Sequence, residues 1–212
     1  MITDDLITAL VADLGISSVR LQRTFALALA MGSVLAVAAF FLWIGFRPDI
    51  AQALETVRFL FKFVVTLSLA ATATGFLVRL ARPGVSLGLW RWAWLLAPLL
   101  LAFAVVTELA VMPAATWWPR LVGSNARACL TLIPFLSIGP LACTFLALRH
   151  GAPTRPGLAG AVAGLVASGI AATLYASHCT DDSPLFVATW YPLAIGIVVL
   201  AGYVAGSRYL RW

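Results

Sequence analysis

Six uninterrupted apolar runs, at residues 25–45, 59–80, 92–112, 128–148, 158–177 and 189–205, constrain this chain more than any other feature of its sequence. Each is close to the roughly 20 residues a helix needs to cross the hydrocarbon core of a bilayer. No water reaches a backbone N–H or C=O in that core, so a crossing segment must satisfy its polar groups as a helix or within a closed barrel. Barrel strands would alternate apolar and polar residues over about ten positions, whereas these runs are apolar throughout. The predicted fold is all-α, a polytopic membrane protein built as a six-transmembrane-helix bundle. Composition agrees, with 62% of 212 residues hydrophobic and only 10% charged, far from the mix of a soluble domain. The short connections leave no room for an extramembrane domain. The chain divides into a cytoplasmic N-terminal segment, 1–24, and a transmembrane domain, 25–212.

The first run follows 24 fairly polar residues, exceeds the core of a signal peptide and lacks a small-x-small cleavage site, so it is expected to remain in the mature protein. Orientation follows from Lys and Arg, which short loops retain on the cytoplasmic side. With the N-terminus inside, the inner side carries Arg20, Arg23, Arg79, Arg82, Arg91, Arg149, Arg155, Arg208 and Arg211. The outer side carries Arg47, Arg58, Lys62, Arg120 and Arg127. This asymmetry predicts that both termini are cytoplasmic. The net charge of +6 then reads as topology and contact with anionic membrane lipids, with no direct role in binding nucleic acid. Both inner loops contain Arg-Pro-Gly, at Arg82 and Arg155, which reads as tight hairpins. Gly160 and Gly164, like Gly202 and Gly206, are spaced to let helix backbones approach closely; packing within the chain is expected, with a homodimer as the alternative.

The N-terminal segment MITDDLITALVADLG looks made for water. Thr3 can cap a helix whose first turn carries Asp4 and Asp5, where negative charge suits the helix dipole, and Gly15 can end it. Leu6, Leu10 and Leu14 lie on one apolar stripe. A basic face would mark a membrane-surface helix; this acidic one points to a protein partner's groove, docking on its own bundle being the alternative.

Ionisable residues inside a span are functional candidates by default. Lys62 and Glu108 stand at matching depths near the outer ends of the second and third runs, and a structural ion pair is expected between them, with a proton or substrate relay as the alternative. Cys129 opens the fourth run and Cys179 follows the fifth, so both fall on the outer side. Cys143 lies about 21 Å further along the helix from Cys129 and reads as a small apolar residue. Cys179 belongs to HCTDDSPLF, residues 178–186. An oxidising compartment permits a disulfide, and soft thiolates bind soft metals with His178, Asp181 and Asp182 as further ligands. The spacing matches no metal motif, however, and Ser183 followed by Pro184 is also an ordinary helix start. Residue chemistry leaves capping turn, disulfide and metal site all open.

YASHCTDDSPLF with the following TWY, the block IPFLSIGPLACTFLALRHGAPTRPGLAGAVAG, the stretch FKFVVTLSLAATA and the terminal SRYLRW together resemble the NrsF family of bacterial membrane anti-sigma factors. The resemblance runs over nearly the whole chain. It implies six spans in the bacterial inner (cytoplasmic) membrane with both termini cytoplasmic, and a partner that is an extracytoplasmic-function sigma factor, held until a signal releases it. It also implies that Cys129 and Cys179 match the family's paired cysteines and take part in sensing oxidative or heavy-metal stress. No cofactor is implied, and no enzyme activity. Two other classes compete. A membrane thiol oxidoreductase would need a C-x-x-C-type pair and a quinone pocket, of which the sequence has no signature. A small transporter would place charged or broken segments at the midplane, whereas Lys62 and Glu108 sit near one end.

Overall fold

The computed structural model describes the backbone of residues 3–82, 88, 90–151 and 153–210, and the side chains of all of these except 3–19 and 91. Helices α1 (Thr3–Trp43), α2 (Ile50–Ala53), α3 (Val57–Leu80), α4 (Trp90–Ala93), α5 (Leu96–Val111), α6 (Trp117–Val122), α7 (Ala126–Leu148), α8 (Pro156–Ala176) and α9 (Pro184–Tyr209) follow in order. No strand occurs among the described residues, and the chain is an all-helical bundle. Five segments, within α1, α3, α7, α8 and α9, are long and apolar enough to cross a membrane; α5, with 16 residues, is a shorter apolar helix. Large apolar side chains such as Leu27, Met31, Leu42, Leu99, Phe103 and Leu200 are exposed on the outside, as a lipid-facing surface requires.

The third run departs from the continuous helix expected over 92–112. It breaks at Trp94 and Leu95, and α5 begins at Leu96. Pro98 supplies the reason: it has no N–H to give to the carbonyl four residues back, and its ring crowds that carbonyl. The first helix departs in the opposite sense. Gly15 does not end it; α1 runs 41 residues without interruption, about 60 Å at 1.5 Å per residue. A single glycine costs a helix only about 1 kcal/mol, and no proline follows it before Trp43. The side chains of Asp4, Asp5, Leu6, Leu10 and Leu14 lie outside the described residues.

Helix α8 is the centre of the bundle, packing on α1, α3, α7 and α9. Its small residues make this closeness feasible. A methyl group at Gly164 would stand 2.8 Å from the Val198 carbonyl oxygen, and Gly160 meets the backbone of Gly202 and Gly206 directly. Both glycine pairs are thus spent on the α8–α9 contact inside one chain, and burying them needs no second copy. Gly32 of α1 likewise sits on Pro140 of α7, where a methyl would come within 2.7 Å of its Cα.

Two core clusters mark the ends of the bundle. Phe25, Leu77, Ala81, Leu148, Ala159 and Leu210 gather at the end from which both termini leave. Phe40, Cys129, Ile133, Tyr175, Cys179, Phe186 and Tyr191 gather at the other. The segments joining α1 to α3 and α5 to α7 on this second end are themselves partly helical, α2 and α6 among them.

Candidate functional site

The turn from α8 to α9 forms the hub of the second end. Ser183 caps α9 as expected, its hydroxyl accepting from the Leu185 N–H at 3.3 Å with Pro184 at the first helical position. Glu108 of α5 reinforces that cap: its carboxylate accepts from the Ser183 hydroxyl at 2.7 Å and from the Leu185 N–H at 3.2 Å. Asp181 performs the same service for α7. One of its oxygens accepts from the Ser124 and Asn125 N–H groups at 2.9 and 2.8 Å and from the Asn125 side chain at 3.0 Å. Anions suit the positive ends of both helices.

Two buried cations clamp the turn from the other side. Lys62 of α3 is 2% exposed and Arg47, in the segment after α1, is 7% exposed. The Lys62 ammonium meets Asp182 at 2.5 Å and donates to the Cys179 carbonyl at 2.9 Å. Arg47 donates to Asp182 at 2.9 Å and to the same Cys179 carbonyl at 3.2 Å, while gripping Asp49 through two 2.7 Å bonds. Its backbone N–H adds a bond to the Ser177 carbonyl at 3.2 Å, and His178 Nδ1 lies 3.0 Å from the Gly45 carbonyl oxygen. Charges this deep persist only when paired and hydrogen-bonded. The Arg47 fork holds the Asp49 carboxyl below the usual carboxylate range, and the carboxylates in turn raise the guanidinium.

The expected Lys62–Glu108 pair does not form. Lys62 turns to Asp182, and Glu108 instead meets Arg120 at 3.1 Å and Arg58 at 3.6 Å. Matching depth on adjacent helices does not fix which way round the bundle each side chain points. The metal-ligand set is not assembled either. His178, Asp181 and Asp182 each face a different partner, and no group of three His, Cys, Asp or Glu able to hold a metal ion occurs among the described residues.

Cys129 and Cys179 are both free thiols and both 0% exposed, packed in one cluster with Tyr175, Phe186 and Tyr191. Cys129 occupies the first turn of α7, its N–H on the Asn125 carbonyl at 2.8 Å. The Cys179 thiol donates to the Asp181 carbonyl at 3.7 Å. Burial pushes the Cys179 thiol up, while the Lys62 ammonium pulls the other way. Cys143 is half-buried further along α7 and belongs to neither core cluster. Cys129 and Cys179 therefore share one core at a turn, with Cys179 within it, that four other segments tie down. An open cavity of about 500 Å³ beside the turn, lined by Arg58, Arg120, Thr180, Asp181 and Asp182, reaches the carboxylates. Sequence reasoning missed Arg47, Asp49, Asn125, Tyr175 and Tyr191; a cation just past a span, as Arg47 is, was the one signal in reach.

Comparison with known proteins supplies the rest. Residues 10–212 match the model of the family NrsF, described as negative regulator of sigma F. Over 217 residues, with both chains covered in full, the sequence is 36% identical to the anti-sigma-F factor NrsF of Caulobacter vibrioides. It is 32% identical over 214 residues, again with full coverage, to a probable anti-sigma-F factor NrsF of Azospira oryzae. No solved structure matches the chain.

Proposed function

Because the chain belongs to the NrsF family of negative regulators of sigma F, we propose that it holds an extracytoplasmic-function sigma factor at the cytoplasmic face of a bacterial inner membrane. The signal it answers is an oxidative or heavy-metal stress outside that membrane, sensed through Cys129 and Cys179. The broken third run, α4 with α5, completes six crossings, so that both termini and the Arg-rich loops are cytoplasmic and the cysteine end is periplasmic. The charge asymmetry of the loops supports this orientation.

One observation carries the sensing: two buried free thiols share a core, one of them Cys179 of the very turn that Lys62 and Arg47 clamp. Chemistry at either sulfur enlarges or charges a close-packed core, and the turn is the part of its lid made without helical hydrogen bonds. The clamp gives the displacement somewhere to go. His178 and Asp182 are tied to Gly45 and Arg47 at the end of α1, and α1 continues unbroken to Thr3. Movement of the turn therefore tilts or shifts a rod whose far end is the acidic segment expected to bind the sigma factor.

Affinity purification from detergent-solubilised membranes tests the reading. The full chain should retain an extracytoplasmic-function sigma factor, and deletion of residues 1–15 should lower that retention while leaving insertion intact, because every apolar run lies beyond the deletion. Retention at the wild-type level would move the contact to the loops around Arg82 and Arg155, and no sigma factor in either eluate would contradict the proposal.

A further inference from the structure

The pocket of the two cysteines contains a hydroxyl with nothing to bond. Tyr191 is 2% exposed and its Oη finds no hydrogen-bond partner. Its ring packs on Tyr175 with centroids 5.9 Å apart, in the cluster that includes Cys129 and Cys179. The neighbouring Tyr175 hydroxyl is satisfied, donating to the Asn125 carbonyl at 3.2 Å. Leaving a buried donor unmet is unfavourable, and phenylalanine would fill nearly the same volume without it. The hydroxyl makes physical sense if the pocket has a second state in which an acceptor appears.

We propose that Tyr191 is the hydrogen-bond donor for an oxygen added to the Cys179 sulfur, a positioning residue for the oxidised state of the sensor. This rests on the cysteine-sensing reading and adds to it the chemistry and the residue that receives it. Cys179 is the thiol that reacts, because it lies in the turn itself, next to Thr180 at the open cavity, whereas Cys129 is held within α7; its thiolate is the nucleophile. The thiolate attacks the outer oxygen of a hydroperoxide; an S–O bond forms as the O–O bond breaks. Sulfur gives up two electrons and becomes a sulfenic acid. The peroxide is reduced to an alcohol, or to water from hydrogen peroxide, and takes up the thiol proton. The new oxygen provides the acceptor that Tyr191 lacks, and its bulk strains a buried cluster, where added atoms are poorly tolerated.

The test uses the full-length protein in lipid nanodiscs. Hydrogen peroxide is added, and the reaction is stopped by denaturation in a sulfenic-acid-specific dione together with an alkylating reagent. The Cys179 peptide is then quantified by mass spectrometry, and the reduced protein is melted in parallel. Tyr191→Phe should melt at or above the wild-type temperature when reduced, since it removes an unmet donor. It should form Cys179 sulfenic acid roughly fivefold more slowly at early times, the rate worth of one hydrogen bond made to the oxygen as it is transferred. Tyr175→Phe, which gives up a bond already made, should melt lower. Equal early formation of sulfenic acid in wild type and Tyr191→Phe overturns the inference, and so does a lower melting point for reduced Tyr191→Phe. If that trapping depends on Tyr191 while a Cys129→Ser Cys179→Ser protein still releases its sigma factor normally, the sensing reading fails and the chemistry stands. Blunted release in the cysteine variant beside unchanged trapping in Tyr191→Phe removes the Tyr191 inference alone.

Discussion

Substituting Asp182→Asn should loosen the turn without emptying its space. In the folded protein the Lys62 ammonium, 2% exposed, has two partners, the Asp182 carboxylate at 2.5 Å and the Cys179 carbonyl at 2.9 Å. Arg47 keeps its two bonds to Asp49 whatever happens at position 182. The loss therefore falls mainly on Lys62, which is left buried with neutral acceptors only. Breaking a buried pair from one side costs about 3–5 kcal/mol. Asparagine still offers an oxygen and Asp182 is 20% exposed, which places the expected loss near the lower bound, about 3 kcal/mol. For a chain of this size that is a melting point roughly 6–12 °C lower, read by thermal unfolding in nanodiscs. Lys62→Met combined with Asp182→Asn should be milder than the sum of the two single changes, with a coupling of about 1–3 kcal/mol. In cells, the Asp182→Asn protein should leak sigma-dependent reporter activity without stress. A melting point within about 1 °C of wild type, or additive single changes, would refute a clamp at this turn.

Three further outcomes follow from the same geometry. Lys62→Gln and Glu108→Gln should each destabilise the protein without relieving the other in a thermal cycle, since Lys62 holds Asp182 while Glu108 holds Ser183, Arg120 and Arg58; a double variant more stable than either single one would show that the two charges pair. Gly160→Leu should destabilise the bundle by several kcal/mol, seen as loss of folded protein in detergent, because any side chain there enters the backbone of Gly202 and Gly206. The Asp49 carboxyl is lowered by Arg47, so its stabilisation is fully present above the unfolded carboxylate value near 3.9 and is lost as pH falls through the lower folded value; Asp49→Asn should lessen the fall in stability on acidification in a pH-dependent melt.

The helical class and the rough places of its long apolar helices were legible because lipid imposes one periodicity and one length on a crossing segment. Ser183 and Pro184 were legible too, since a cap is a local matter written in adjacent residues. The partners of Lys62 and Glu108 were not: each depends on the rotation of a helix about its axis and on loops distant in sequence, which no hydropathy pattern records. Gly15 misled for a related reason, because a stop signal acts only when the residues beyond it cannot continue the helix. The cysteines occupy a middle place. Resemblance to a family marked Cys129 and Cys179 as a pair, but their burial beside the unmet hydroxyl of Tyr191 required the packed bundle.

The most direct measurement is sigma-factor release, followed by a sigma-dependent reporter under oxidant or soft-metal challenge, in cells carrying either the wild-type chain or Cys129→Ser Cys179→Ser, with Cys143→Ser as control. Serine keeps roughly the thiol's size, so the bundle should still insert and hold its sigma factor, but it neither oxidises as a thiol does nor binds soft metals well. The account predicts silence without stress in all three, full induction in wild type and Cys143→Ser, and little or none in the double variant. Full induction of Cys129→Ser Cys179→Ser would contradict it, and would leave residues 178–183 as a turn that caps two helices.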